Sequence, residues 1–484
     1  MSDPRLAVVI LAAGEGTRMK SAVPKVLHPI AGVPLVGHVL ATARQLDAAQ
    51  IVVVVRHDRD RVAATVAELL PEAVIVDQDE VPGTGRAVEA ALAGLPADFA
   101  GEVVVLSGDV PLLDAATLAE LVSAHRHSGA LATVLSTVPD SPVGYGRIVR
   151  DADGLVERIV EERDALDHER DIDEVNSGSY VFGAEVLRRH LPLIASGNSQ
   201  GERYLTDVIG LIRGEGGLVG AQAAPSWLVE GVNDRVQLSA AAHRLNAMIV
   251  RGWQVAGVTV HDPATTWIDL TTTLAEDVEI MPNTQLSGAT TIGRGAIIGP
   301  DTTLRDCEVG EDAVISRTDA TLAVIGVRAH VGPFAFLRPG STLDEDGKIG
   351  TFVETKNSRI GRGAKVPHLS YIGDAEVGEG SNIGAGTITA NYDGVAKHPT
   401  TVGSHVKSGS NVVFVAPVSV GDGAYVGAGT TVRQDVPPGA LAVNTTPQRN
   451  IEGWVALNRP GTAAAEAAAA AETSGADSTA PAAE

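Results

Sequence analysis

Cysteine is nearly absent: Cys307 stands alone in 484 residues. A lone thiol excludes an internal disulfide framework and a cysteine-based zinc site, and Cys307 reads as a small buried hydrophobe. Aromatic residues are scarce too, at 3% of the chain, against 53 glycines and an ordinary 44% of hydrophobic residues. That balance suits a core of small aliphatic side chains set between tight turns. Positive charge is short: 37 Lys and Arg face 60 Asp and Glu, a net charge of −23. So acidic a chain lacks the basic face that a nucleic-acid backbone requires, but a few local cations can still hold small phosphorylated substrates. No basic segment opens the chain. Its first apolar run, Leu6 to Ala13, is too short to span a membrane and is wrongly flanked for a signal peptide. No membrane partner is expected, and a cytoplasmic setting follows by elimination.

A chain of this length predicts two or three domains. Over roughly the first 230 residues, apolar runs alternate with amphipathic helical patterns, which predicts a parallel sheet covered by helices. Leu6 to Leu11, Ile51 to Val55, Val74 to Val76, Val103 to Leu106 and Leu131 to Val138 read as strands. Leu35 to Leu46, Val62 to Leu70, Arg86 to Leu92 and Ala115 to Ala124 have helical spacing. Residues 235–256, free of proline and rich in helix formers, read as a linker helix between domains 1–234 and 257–460. In the second domain thirteen Ile-Gly or Val-Gly pairs recur from Ile292-Gly293 to Val426-Gly427, commonly five or six residues apart. A six-residue period fits neither a helix nor an alternating sheet. It fits a parallel β-helix in which each hexapeptide forms one side of a coil, the aliphatic residue points to the axis, and the glycine turns the corner. Asn391 to Pro399 breaks the period and is expected to loop out. The Ala/Glu/Ser/Pro segment 461–484 has little to bury and is expected to be a disordered tail.

Leu11-Ala12-Ala13-Gly14-Glu15-Gly16-Thr17-Arg18-Met19 follows the first strand, with Pro24-Lys25 close behind. Glycines in such a turn admit a phosphate or base to the backbone N–H groups, and Arg18 and Lys25 can neutralise phosphoryl charge. The pattern is neither the Rossmann nor the Walker motif, and alone it is equally a tight turn. A second loop, Gln78 to Gly85, precedes a helix and offers a side-chain amide to a nucleobase. A third, Ser107-Gly108-Asp109, ends a parallel strand, where a carboxylate would hold a ligand-bound Mg²⁺. The competing reading of Asp109 is a cap on the helix that follows.

Taken together, L-x-A-G-x-G-T-R-M with P-K, then G-T-G, then G-D-x-P-L, resembles the sugar-nucleotide pyrophosphorylases. Tyr145-Gly146-Arg147, Ile159-Val160-Glu161, Glu174 to Gly178 and Glu230 to Asn233 continue the likeness. With the hexapeptide region added, residues 5 to 457 resemble the bacterial bifunctional N-acetylglucosamine-1-phosphate uridylyltransferase / glucosamine-1-phosphate acetyltransferase family. The resemblance implies an α/β nucleotidylyltransferase (Rossmann-like) domain joined to a left-handed parallel β-helix of hexapeptide repeats, assembled as a homotrimer. It implies that Leu11, Ala12, Ala13, Gly14, Arg18, Lys25, Gln78, Gly83, Thr84, Ser107 and Gly108 bind UTP. Gly146, Glu161, Asn176 and Asn233 would meet the amino sugar and its phosphate, and Asp109 with Asn233 would hold Mg²⁺. The product, UDP-N-acetylglucosamine, would feed peptidoglycan synthesis. In-line attack on a phosphorus needs positioning and charge neutralisation rather than a covalent nucleophile, and the sequence shows none.

In the repeats, polar residues interrupt the aliphatic pattern at Arg338, at Glu354 to Asn357, at His368 to Tyr371, and at Asn391, Tyr392 and Lys397. Acyl transfer to an amine needs a base, and an imidazole titrates near neutral pH, though a histidine alone is more often a solvated or structural residue. H-L-S-Y-I-G-D followed by N-I-G-A-G-T-I-T-A-N-Y-D-G resembles the acetyltransferase site of the same family. It implies His368 as base, with Arg338, Lys356, Tyr371, Asn382 and Lys397 on glucosamine-1-phosphate. Asn391 and Tyr392 would line the reaction centre, and Ala385, Ser410 and Ala428 would flank the co-substrate acetyl-CoA. Glu354 is a candidate to orient His368. Thr445 stands where the family often has an arginine for the CoA phosphates, which leaves Arg433 or Arg449 to substitute. The competing readings are a single-activity nucleotidylyltransferase with a regulatory β-helix, and a catalytically dead scaffold. Intact His368, Asn391, Tyr392 and Lys397 argue against the first, and intact Lys25 and Asp109 against the second.

Overall fold

Leu6–Leu11 opens the first sheet, and its side chains alternate between two cores. Ala7 and Val9 join Val52, Val54, Val103 and Val105 on one face, while Val8 and Ile10 join Val53, Val55, Val104 and Leu106 on the other. A strand buried on both faces needs a continuous apolar run, which is why these segments do not alternate with polar residues. The structure is a computed structural model that describes residues 5–444 and 448–477. Across the sheet the strands run Val219–Ala223, Ala132–Thr137, Val175–Gly183, Glu102–Ser107, Leu6–Leu11, Gln50–Val55 and Val74–Asp77.

The expected parallel sheet is present, with one antiparallel strand inserted in it. Val175–Gly183 lies antiparallel to both of its neighbours. A bulge between Asn176 and Tyr180, where Gly178 takes φ +80°, shifts the register. Leu6–Leu11 lies between Gln50–Val55 and Glu102–Ser107, all three parallel, so the carboxyl ends of these strands open into one crevice.

The helix Arg235–Val255 begins with Asp234, whose carboxylate accepts from the backbone N–H groups of Val236 and Gln237, both at 2.9 Å. Leu245 packs with Ile30, Leu35, Leu112 and Val232 of the first domain, and Val250 enters the core of the second.

From Thr259 onward three parallel sheets wind around one axis, each coil giving a strand to each sheet: a left-handed parallel β-helix. On one wall Ile280, Ile298, Ile315, Val331, Ile349 and Val366 stack in register, each fully or nearly fully buried. Partners on successive coils are 16 to 18 residues apart, or three hexapeptides per turn. The axis is narrow, so small aliphatics fill it, and Cys307 is buried there as expected.

The repeat glycines have two separate causes. Gly299 and Gly332 do take positive φ, at +102° and +98°. Gly293, Gly310 and Gly326 do not: a Cβ on any of them would lie within 2.6–2.8 Å of the next coil's backbone. For these three, coil stacking rather than corner geometry demands glycine, which amends the reading from sequence.

Asn391 to Pro399 does leave the solenoid, with Tyr392 and Val395 exposed. Of the tail expected to be disordered, Ala463–Asp477 is a helix, and residues 478–484 lie outside the described residues. Alanine is the strongest helix former, so the segment coils without a face to bury. Among the described residues no helix is long and apolar enough to cross a membrane.

Candidate active sites

The crevice beyond the first sheet is a cleft of about 510 Å³. Leu11, Ala13, Gly14, Lys25, Gln78, Gly83, Thr84, Ser107 and Asp109 line it, as the sequence predicts. A Cβ on Gly14 would meet nothing within 4 Å, so this glycine leaves room for an approaching ligand. Gly108 is not in the lining: it is buried behind it, its N–H bonded to Leu11 O at 2.9 Å and a Cβ there only 3.0 Å from the same oxygen. Gly83 has φ +116° and lies against the Arg203 backbone, where a Cβ would sit 2.3 Å from the carbonyl oxygen. The Gln78 amide donates to Val81 O (2.9 Å) and Gly83 O (3.2 Å), which holds that loop in shape. The Thr84 hydroxyl accepts from the Leu205 N–H at 3.0 Å.

Ala12 does not join the lining. It is buried and its N–H is committed to Val54 O at 2.9 Å, so it shapes the turn rather than facing the cleft. Arg56, His57 and Glu202 line the cleft without having been anticipated. The available signal for the first two was their place at the carboxyl end of Gln50–Val55.

At the mouth, Lys25 is paired with Asp109, both largely shielded from solvent. The Asn233 side-chain oxygen accepts from Lys25 at 3.2 Å and from Arg18 at 2.8 Å. Asn233 arrives there because the Val232 N–H bonds Asp109 O at 2.9 Å. The alternative reading of Asp109 as a helix cap is excluded, because Asp114 fills that role by accepting from Thr117 N at 2.7 Å. One carboxylate and one amide oxygen thus converge on a spot held by an ammonium ion. Hard oxygen donors of this kind, with substrate phosphates completing the set, fit Mg²⁺. No cluster of three or more acidic, histidine or cysteine ligands exists among the described residues, so protein groups alone do not make a cage.

Further out, Glu161 accepts from the Thr206 hydroxyl at 3.2 Å. Burial pushes its carboxyl above the usual range, with Asp207 and Asp164 adding to the shift. Burial also raises Tyr145, helped by Glu230 and Asp109. Asn176 is held between Tyr180 OH (2.7 Å) and Gly178 N (2.9 Å), and Gly146 packs against Ile159 and Glu161.

The β-helix carries two groups of predicted residues on opposite edges of one wall. Along one edge, backbone bonds link Leu369 to Thr351, Gly386 to His368, Asn411 to Ala385, and Gly429 to Ser410 on successive coils. That ladder stacks His368, Ala385, Ser410 and Ala428 on one corner. His368 is exposed, and its imidazole makes no hydrogen bond or ion pair to a described residue. Glu354 does not orient it: the Glu354 carboxylate accepts from Arg338 at 2.9 Å, the cation stacked one coil away. Phe334 and Phe352, rings stacked 5.3 Å apart, and Leu369 continue the same corner as an exposed apolar strip.

On the other edge Arg338, Lys356, Tyr371, Asn391 and Lys397 come together. The Tyr371 ring lies over Gly373, where a Cβ would be 2.3 Å from its hydroxyl oxygen, and Asn391 reaches that hydroxyl at 3.5 Å. Asn391 also donates to Asp374, the aspartate that ends the H-L-S-Y-I-G-D segment. Burial works against the Asp374 charge, but hydrogen bonds from Asn357 and Asn391 and the charges of Lys356 and Lys397 hold its carboxyl low. The Lys356 ammonium lies against Lys397 and lowers the pKa of Lys397. Positive charge is thereby concentrated at this edge of the wall.

Asn382 stands apart from this cluster. It bridges Lys365 and Lys407 on the adjacent wall. Tyr392 is exposed on the loop, its hydroxyl turned back to Gly394 O at 2.7 Å. Arg433 and Arg449 are exposed, and Thr445 lies outside the described residues.

Residues 8–172 match the MobA-like NTP transferase domain. The chain is 61% identical to the bifunctional protein GlmU of Clavibacter sepedonicus, over 98% of this chain and 97% of that one. The chain belongs to the bifunctional GlmU family. GlmU of Leifsonia xyli subsp. xyli is 64% identical over 97% of this chain and 96% of its own. Among solved structures, a UDP-glucose pyrophosphorylase from Acinetobacter baumanii aligns at 19% identity over 52% of this chain and 99% of its own, with a TM-score of 0.40. The GlmU relatives span both sites described above, cleft and β-helix wall alike.

Proposed function

We propose that this GlmU chain acetylates glucosamine-1-phosphate on the β-helix and then couples N-acetylglucosamine-1-phosphate to UTP in the cleft. The products are CoA, pyrophosphate and UDP-N-acetylglucosamine. The reading rests on one observation above others: two separate cation-lined sites, Lys25 with Arg18 and Lys356 with Lys397, on one chain.

In the cleft, a sugar-phosphate oxygen attacks the α-phosphorus of UTP as the bond to pyrophosphate breaks. Lys25 and Arg18 neutralise the phosphoryl charge that develops. Gly14 and the Gln78–Gly83 loop seat the nucleotide, while Gly146, Glu161 and Asn176 seat the amino sugar. Asp109 and Asn233 would hold Mg²⁺, which when bound supplies further charge neutralisation on the phosphates.

On the wall, Arg338, Lys356, Lys397 and the Tyr371 hydroxyl hold the sugar phosphate. His368 takes a proton from the sugar amine, which attacks the thioester carbonyl of acetyl-CoA, and collapse of the adduct expels the CoA thiolate. Ala385, Ser410 and Ala428, small residues stacked on the His368 corner, leave a shelf for acetyl-CoA. The exposed strip of Phe334, Phe352 and Leu369 beside His368 supports a homotrimer in which a neighbouring copy covers this edge. UTP and acetyl-CoA as substrates fit a cytoplasmic setting.

The test is one assay of the purified protein with glucosamine-1-phosphate, acetyl-CoA, UTP and Mg²⁺, following free thiol and pyrophosphate separately. Pyrophosphate without thiol would leave the β-helix as a scaffold and remove half of the reading. Mass measurement in solution checks the trimer. A monomer that keeps full acetyl transfer would overturn it.

A further inference from the structure

The helix Arg235–Val255 begins two residues after Asn233, and its first turn is bonded to the cleft in two places. The Gln237 side-chain oxygen accepts the backbone N–H of Asn233 at 2.8 Å. Arg235 donates to the carbonyl of Met19 at 3.3 Å, at the end of the glycine-rich turn. That turn carries Arg18, whose guanidinium meets the Asn233 side-chain oxygen at 2.8 Å. The circuit closes on itself: helix to Met19, Arg18 to Asn233, and Asn233 back to the helix. The Asn233 amide nitrogen is in turn held by Gly231 O at 3.2 Å, so its oxygen has one direction left to face, toward Lys25 and Asp109.

A glutamine three residues into a helix ordinarily folds back to the N-cap residue's own N–H and does no more than stabilise the helix end. Here Asp234 already caps the helix through Val236 and Gln237. Gln237 reaches one residue further, to the backbone of the side chain that faces the cleft. The other end of the helix is anchored in the β-helix. The Asn246 amide is buried between Thr266 O (2.7 Å) and Ile268 N (3.0 Å), and Val250 sits in the solenoid core. The helix is thus a strut seated in the second domain that fixes a group of the first site.

We infer that Gln237 is a positioning residue for uridylyl transfer: it fixes Asn233, and with Arg235 it braces the glycine-rich turn against the linker helix. The inference rests on the cleft being the uridylyl-transfer site. Misplacement of a catalytic group by about 1 Å costs on the order of a hundredfold in rate, so one lost backbone contact is enough to be measured.

The experiment compares full-length wild type, Gln237→Leu and Gln237→Glu. Leucine keeps the helix but cannot accept the Asn233 N–H, while glutamate can. Gln237→Leu is expected to lower kcat for pyrophosphate release about tenfold, with a smaller change in KM for UTP. Thiol release should stay within twofold of wild type. Gln237→Glu should recover at least half of the lost rate. In the ligand-free proteins, hydrogen exchange of the peptide spanning 230–236 should be faster in the leucine variant alone. Equal pyrophosphate release in all three proteins would overturn the inference. So would a parallel fall in thiol release and melting temperature, which would make Gln237 only a structural cap. A wild type that releases no pyrophosphate would instead sink the reading of the cleft itself.

Discussion

The two sites of this chain are built in opposite ways. The cleft is enclosed: Glu161 and Tyr145 are shifted by burial, Lys25 and Asp109 are shielded, and loops such as Gln78–Gly83 are fixed by their own side chains. The β-helix site is an open wall. His368 stands in solvent with the apolar strip of Phe334, Phe352 and Leu369 exposed on the same corner, while Tyr392 and Lys397 ride an excursion at the other edge. A doubly covered sheet creates a crevice within one chain, because its loops cluster at one edge. A solenoid offers only flat walls and corners, so a pocket on it requires a second surface. The difference teaches that a covered sheet encloses its site with loops of the same chain, whereas a solenoid wall leaves its site open, which is the ground for the homotrimer proposed above.

The largest expected effect would separate the two regions outright. His368→Ala should cut thiol release by about 10²- to 10⁴-fold, the usual worth of a general base, with pyrophosphate release from supplied N-acetylglucosamine-1-phosphate unchanged. Asp109→Ala should do the reverse. If either substitution abolished both activities, the two sites would not be separable.

Next comes stability. Ile298 is fully buried in the solenoid stack, and truncating such a side chain costs about 2–5 kcal/mol. Each coil touches only its neighbours, so Ile298→Ala should lower the melting transition of the β-helix and leave that of the cleft domain in place. Calorimetry on the full chain checks this. A single transition that falls as a whole would mean that the linker helix couples the domains into one folding unit.

Much of this division was legible in the residues. The Ile-Gly and Val-Gly period marked the solenoid because its physical cause, one aliphatic residue per side of each coil, repeats locally. Strands such as Leu6–Leu11 were legible from double burial. The antiparallel placement of Val175–Gly183 was not, since strand direction leaves no local signature and Gly178 reads the same in a turn or a bulge. The motifs located Lys25, Asp109, Asn233 and His368, but not their partners. The bond from Arg338 to Glu354 joins residues one coil apart, and the contact of Lys356 with Lys397 depends on a loop folding back. Such pairings come from coil stacking, which spacing alone does not give.

A smaller effect sharpens the anion site on the wall. The Lys356 ammonium lowers the pKa of Lys397, so as pH rises Lys397 loses its charge earlier than an isolated lysine would. Below that point both cations can meet the sugar phosphate, and above it one is neutral. KM for glucosamine-1-phosphate is therefore expected to rise on the alkaline side, before an ordinary lysine would titrate. Lys356→Gln should raise KM several-fold at neutral pH and move the alkaline rise to higher pH, because the repulsion is gone. A KM for the variant that rose at the same pH as in wild type would show that Lys356 is not what perturbs Lys397.

The smallest effect is expected at the tail. Ala463–Asp477 is helical, yet nearly all of its described side chains are exposed. A helix of this length with so little buried is marginal in water, so its coil reflects chiefly alanine propensity. Removal of residues after 460 should leave the melting temperature, pyrophosphate release and thiol release unchanged, within the roughly ±0.5 kcal/mol of ordinary surface changes. The two activities make this a sensitive comparison, because the cleft serves as an internal control. A truncated protein that kept pyrophosphate release and lost thiol release would mean that the tail of one chain reaches the open wall and contributes to acetyl transfer.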